Sequence, residues 1–169
     1  MRRHIAVPVI FFACCASSAA ESPRVQFGAL GSLRVGMSEG QIAEAAHSPL
    51  VHIAPGGEEE GCFYGSVSGL PKGASLMFID GRLARIDIFE PGIRTWSGAE
   101  VGMSEHALKQ LYGARVRQEP HAYTGPDGHY LTLLSGDKTL GIRFETDGAK
   151  VTGYYSGTAE AIQYIEGCQ

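Results

Sequence analysis

Two stretches of the chain carry apolar residues at helical spacing, and each is followed by short runs in which apolar and polar positions alternate. After Ser38 the pattern Ile42-Ala43-Glu44-Ala45-Ala46 predicts a helix over 39–46, and after Ser104 the pattern Ala107-Leu108-Lys109-Gln110-Leu111-Tyr112 predicts a second over 105–112. Ser38 is the expected N-cap, with Gln41 completing a capping box. Ser104 repeats the cap without the box, because position 107 is alanine. His47-Ser48-Pro49 ends the first helix, since the residue before proline avoids helical torsions, and Gly113 ends the second. Helices this short are marginal alone, so each must pack on a sheet.

The alternating runs predict strands over 62–67, 74–79 and 82–89, then over 121–124, 130–135, 139–146, 150–156 and 161–166. In 83–89 the apolar residues Ala84, Ile86 and Ile88 share one face, and Arg85 and Asp87 point the other way. Asp80-Gly81 between two such runs is a two-residue hairpin signal, because both central residues need positive φ. Pro126-Asp127-Gly128, Ser135-Gly136-Asp137 and Asp147-Gly148 are further turns.

The helix-then-meander order occurs twice, and each occurrence starts from the same five residues, Val-Gly-Met-Ser-Glu at 35–39 and 101–105. The Asp-Gly pairs at 80 and 147 recur at nearly the same offset. The chain is therefore read as α+β, two tandem helix-plus-antiparallel-meander repeats spanning 21–96 and 97–169, with 90–98 as connector. Two facing sheets, or one continuous sheet with both helices on one side, would each bury the apolar faces. Gly at 23 of 169 residues suits many tight turns without a disordered linker. Tyr64 and Tyr123 take matching places, Cys-Phe-Tyr against His-Ala-Tyr.

Residues 1–20 are read as a signal peptide: Arg2-Arg3, an apolar run too short to span a bilayer, then Ser18-Ala19-Ala20. Lipidation at Cys14 or Cys15 is the rival reading of this end. Without Arg2 and Arg3, 12 basic residues face 18 acidic ones, a net charge of −6, which argues against nucleic acid and anionic lipid as partners and permits a basic protein. No later stretch is apolar enough to span a membrane. The acid run Glu58-Glu59-Glu60 reads as a solvated loop. Cys62 and Cys168 remain after processing, and an even count in an exported chain predicts one disulfide joining the two repeats.

Catalytic signatures do not emerge. Ser135-Gly136-Asp137-Lys138 matches S-x-x-K only literally, since it falls in a turn and not at a helix start. Gly65-Ser66-Val67-Ser68-Gly69 has valine where a nucleophile would sit. No metal set or cofactor motif appears. The one constellation for a hydrolase or sugar-binding site is His121, Tyr123, Asp127 and His129, and it would require those side chains to converge. Tyr154-Tyr155 faces both sides of a strand, so one of the two rings is expected to be exposed or covered by a partner.

Val35-Gly36-Met37-Ser38, Val101-Gly102-Met103-Ser104 and the two Asp-Gly hairpins together resemble the β-lactamase inhibitory protein fold, a tandem pair of helix-and-meander units. They are also similar to the single unit of small outer-membrane lipoproteins that support barrel assembly, and to exported Gram-negative proteins with the doubled unit and a terminal Glu166-Gly167-Cys168. The chain departs from the inhibitor in having one inter-repeat disulfide where the inhibitor has one in each unit. The missing catalytic set, the export signal and the doubled unit lead to the expectation of a periplasmic or secreted binding protein without catalysis, presenting an aromatic-lined sheet face to another protein, such as a hydrolase that it inhibits. An envelope-assembly accessory is the alternative. The expected contacts are Tyr64, Arg85, Asp87, Trp96, His121, Tyr123 and Tyr154.

Overall fold

The computed structural model describes residues 23–53 and 61–168, and the expected signal peptide, its cysteines and the acid run lie outside these residues. The fold is α+β, with mostly antiparallel sheet. Strands β1 (Val25–Gln26), β2 (Ala29–Leu30) and β3 (Leu33–Arg34) form a small three-stranded sheet. Helix α1 (Glu39–Ala46) leads into β4 (Val51–Ile53), β5 (Cys62–Ser66), β6 (Ala74–Ile79) and β7 (Arg82–Ile88). Helix α2 (Glu105–Tyr112) leads into β8 (Arg117–Pro120), β9 (His129–Leu134), β10 (Leu140–Thr146) and β11 (Val151–Thr158).

These last eight strands make one antiparallel sheet in the order β4-β5-β6-β7-β11-β10-β9-β8. The order is a palindrome: each meander starts at an edge of the sheet and adds its strands inward to the centre, where β7 pairs with β11. Asp87 faces Tyr155 across that pair, and Ile86 opposite Ser156 mirrors Ile88 opposite Tyr154. One continuous sheet, not two facing sheets, is the arrangement found.

The Val-Gly-Met-Ser stretches occupy matching settings. The Gly36 N–H donates to Leu83 O at 2.8 Å and the Leu83 N–H to Met37 O at 2.8 Å. The Gly102 N–H donates to Val151 O at 2.9 Å and the Val151 N–H to Met103 O at 2.8 Å. Gly36 and Gly102 adopt φ of 89° and 90°, a region that L side chains avoid, although no atom crowds either Cα. The glycine is needed for its torsion and not for space. Ser38 Oγ then accepts the Gln41 N–H while Gln41 Oε1 accepts the Ser38 N–H, the predicted capping box. Ser104 Oγ accepts only the Ala107 N–H.

The core lies between the helices, the small sheet and one face of the large sheet. Ile42 from α1 and Leu108 and Tyr112 from α2 join Leu76, Phe78, Ile86 and Ile88 and, from the other meander, Leu131, Ile142, Phe144 and Tyr154, all buried. The connector is pinned by β1, since the Val25 N–H donates to Arg94 O and the Trp96 N–H to Val25 O, both at 2.8 Å.

Three expectations need correction. The strand expected over 121–124 is instead β8 at Arg117–Pro120. This edge strand is mostly exposed, so it has no apolar alternation to reveal it, while His121 starts a turn whose ring Nδ1 accepts the Tyr123 and Thr124 N–H groups at 3.1 and 3.3 Å. The strand expected over 161–166 is absent. Ala161–Gln163 form a 3-10 turn and the chain crosses over the large sheet rather than extending its edge. Finally, the two Asp-Gly turns differ. Asp80 and Gly81 both have positive φ (51° and 71°) in a two-residue hairpin, with Ile79 paired to Arg82. Beyond Thr146 the chain pairs again only at Val151, and Asp147 Oδ1 accepts the Ala149 and Lys150 N–H groups at 3.0 and 2.8 Å. The strands β1 to β4, of two or three residues each, are too short for periodicity to show.

Candidate binding face

Alternation along the strands sends a second set of side chains to the far face of the large sheet, away from the helices. Strand pairing places Ser75, Asp87, Tyr155, Arg143, Thr132 and Arg117 in one row across it. Tyr64, Met77 and Arg85 lie in the adjacent row. These are the outward-pointing residues of the sequence pattern, but most are not solvent-exposed, because residues 159–168 run over them as a strap. A disulfide between Cys168 and Cys62, with Cα atoms 5.4 Å apart, fastens the strap to β5.

Arg85 anchors the strap, and it is only 2% exposed. Its Nε and Nη2 donate to the two Asp87 oxygens at 2.6 and 2.8 Å, and Nη2 also donates to Tyr64 OH at 2.8 Å. Its Nη1 reaches Ala161 O at 3.0 Å and Tyr164 O at 2.7 Å. The guanidinium also lies 4.4 Å above the Tyr155 ring. Burial pulls this guanidinium down, but the Asp87 carboxylate outweighs burial and holds it above its ordinary value. Burial pushes the Tyr64 and Tyr155 phenols up, with Asp87 and Glu145 respectively adding to the effect, so both remain neutral donors. Tyr155 OH donates to Glu145 Oε1.

Glycines leave space for what rests on this face. A Cβ on Gly153 would lie 2.7 Å from the Phe89 ring, and one on Gly141 would lie 2.3 Å from Ile162 Cδ1. Gly167 combines φ of 72° with Tyr64 OH at 2.4 Å from where its Cβ would be. Beside the strap a groove of about 410 Å³ opens. Its floor is Tyr64, Ser75, Arg85, Asp87 and Tyr155, its strap wall is Ile165, Glu166 and Gly167, and Ile53, Phe89 and Glu145 complete it. Ile53, Phe89 and Ile165 remain 43%, 51% and 42% exposed.

The other half of this face closes differently. Arg143 lies 4.1 Å above the Tyr130 ring, with Glu119 at 3.6 Å and Gln163 accepting from its Nη1. Among the described residues, its Nε and the neighbouring Thr132 Oγ1 are buried without a hydrogen-bond partner. His121 stacks on Tyr130 at 4.4 Å between ring centres, with Glu145 at 3.8 Å.

The structure gathers some expected contacts and separates others. Tyr64, Arg85 and Asp87 come together, with Tyr64 lining the groove. Arg85 and Asp87 are buried and fully engaged, which corrects their reading as direct contacts. Tyr154 is also corrected: it is 0% exposed in the core, its OH donating to Ile93 O at 2.8 Å. Tyr155 takes the far face, and the chain's own strap, not a partner, covers it. Trp96 is 69% exposed but sits on the helix side, over a separate pocket of about 380 Å³ that reaches Leu133 and Ile142. Tyr123 is exposed and its OH donates to Glu166 of the strap. The positional match of Tyr64 is Tyr130 and not Tyr123: Tyr64 opposes Met77 and Tyr130 opposes Glu145, each partner immediately before a strand irregularity.

The hydrolase constellation does not converge. His121 and Tyr123 lie together by Tyr130, whereas His129 Nδ1 meets Glu105 of α2 at 3.0 Å. Burial pushes the Glu105 carboxyl up, but hydrogen bonds from Lys109, Thr146 and His129 outweigh it and hold the group below its ordinary value. Sequence reasoning missed Ile53, Phe89, Glu145, Tyr155, Ile165 and Glu166. Two of these carried a signal: Tyr155, as one of two adjacent tyrosines facing opposite sides of a strand, and Glu166, within the terminal Glu-Gly-Cys.

No family model and no curated protein matches the chain. Among solved structures, the uncharacterized protein yfeY from Escherichia coli is similar, with a TM-score of 0.50 and 16% identity over 79% of this chain and 99% of that one. At that identity the likeness speaks for the fold alone.

Proposed function

We propose that the protein is an exported, non-catalytic binding module that holds another protein in the groove beside its C-terminal strap. The observation that carries this reading is the groove itself. Three exposed apolar side chains from separate segments, Ile53, Phe89 and Ile165, ring a floor in which Tyr64, Arg85 and Asp87 hydrogen-bond one another and Tyr155 donates to Glu145. Such a floor is rigid, and exposed apolar groups gathered around a pocket mark interaction sites more often than single scattered ones do. The disulfide supports export, because such bonds persist in oxidising compartments. Among the described residues, no helix is long and apolar enough to cross a membrane.

The palindromic strand order and the paired Gly-Met hydrogen bonds support a duplicated helix-and-meander unit, as in the β-lactamase inhibitory protein fold. In this reading duplication produced a sheet wide enough to offer one broad face, and the strap made the two halves of that face unequal. Capture from native host extract tests the function. Phe89→Asp should cut recovery of the partner at least ~10-fold while Leu111→Asp, on the outside of α2, leaves it unchanged. Equal recovery by both variants and the wild type would remove the assignment.

A further inference from the structure

The groove's charge and shape point to what enters it. Resting on the reading of this groove as a protein-binding site, we propose that the partner inserts a lysine or arginine side chain flanked by apolar residues.

Among the described residues, the lining holds one cationic residue, Arg85, against three carboxylates, Asp87, Glu145 and Glu166. Arg85 and Asp87 neutralise each other within the floor, so Glu145 and Glu166 are left to set the sign. Each is engaged through one oxygen only by a neutral phenol, Tyr155 on Glu145 Oε1 and Tyr123 on Glu166 Oε1. The second Glu145 oxygen has His121 Nε2 at 3.8 Å, beyond hydrogen-bonding reach. Both carboxylates therefore keep acceptor capacity, one on β10 and one on the strap, and both lie beside the His121–Tyr123 pair.

An incoming anion would meet two carboxylates, and every donor of Arg85 is already used inside the protein. A purely apolar insert would cover the carboxylates and desolvate them without giving anything back. A long aliphatic stem with a cationic tip satisfies both parts of the lining. The stem lies along Ile53, Phe89 and Ile165, and the tip donates to Glu145 and Glu166. A volume of about 410 Å³ is ample for one such side chain with a neighbouring apolar residue. The chain's acidic balance, 18 acidic against 14 basic residues overall, draws a basic partner toward it.

The test uses two peptides that differ only in the side-chain head, where one guanidinium nitrogen is replaced by a carbonyl oxygen: acetyl-Ala-Leu-Arg-Phe-Ala-amide and its citrulline counterpart, which keeps the shape and loses the charge. Each is titrated into isotope-labelled, disulfide-intact protein, and amide shifts are read at Ile53, Phe89, Glu145 and Gly167. The arginine peptide should bind weakly and shift these amides, and the citrulline peptide should bind about 5- to 10-fold more weakly. Glu145→Gln and Glu166→Gln should each erase most of that difference while the amide spectrum keeps its native dispersion. Equal binding of the two peptides, or no shift at these amides with either, overturns the basic-insert proposal. The binding-module reading has a separate fate, because it falls only if Phe89→Asp leaves partner capture intact.

Discussion

The two halves of the large sheet share a backbone plan and differ in what their far faces do. In one half Arg85 spends every N–H on Asp87, Tyr64 and the strap. In the other, Arg143 also lies over a tyrosine ring, yet its Nε finds no hydrogen-bond partner among the described residues and its carboxylate neighbour Glu119 is partly exposed. The features that match are backbone features: the Gly-Met hydrogen bonds, the strand irregularities and the order of pairing. The features that differ are side chains on one face. Chain geometry is thus common to both halves, while the far faces differ, the strap and groove lying over the β7–β11 seam.

That contrast can be strained at several points. The largest effect should come from the strap's fastening. Replacing Cys62 and Cys168 by serine should lower stability by up to ~5 kcal/mol in urea unfolding, since the closed loop spans 106 residues. Amide exchange should rise first over 161–168. Next, Arg85→Met should cost about 3–5 kcal/mol because it leaves Asp87 buried and unpaired, whereas Arg143→Met should cost about 1 kcal/mol or less. Equal losses would mean that the halves are equally closed.

The helix starts offer a finer comparison. Glu105 is buried among Lys109, Thr146 and His129, while its counterpart Glu39 makes only an exposed contact to His52 at 3.2 Å. Glu105→Gln should cost about 1–2 kcal/mol at neutral pH, and Glu39→Gln less than about 0.5. A carboxyl held below its unfolded value of 4.5 stabilises the fold above that pH and loses this contribution as pH falls through its folded value. The Glu105→Gln deficit should therefore shrink on acidification below about 4.5, and a deficit independent of pH would contradict it. Smallest of all, Ser38→Ala should cost about 1 kcal/mol and Ser104→Ala somewhat less, because only α1 has a complete capping box, and thermal melts of the pair would show it.

Much of the fold was legible because it is written locally. Ser38 with Gln41, Gly113 after Tyr112, Asp80-Gly81 and the alternation of 84–88 each specify their own geometry, and both helices lie where the pattern puts them. The site was much less legible, since it depends on contacts distant in sequence. Alternation correctly sent Arg85 and Asp87 away from the core, but nothing local says that the terminal ten residues will bury them. Ala161 and Ile162 read as strand because they are apolar, and they are apolar because they cover the sheet rather than extend it. Phe89 lies on the same face as Arg85 and Asp87 by alternation, but nothing local marks it as the exposed ring lying over Gly153.

The central claim, that the groove and not the helix side meets the partner, can be tested by site-specific photo-crosslinking. A benzophenone side chain is placed in turn at Phe89 and at Trp96, which are 51% and 69% exposed on opposite faces, and irradiated in native host extract. The account predicts a discrete adduct from position 89 and none from position 96. An adduct from position 96 alone would place the partner over the helix-side pocket and contradict it.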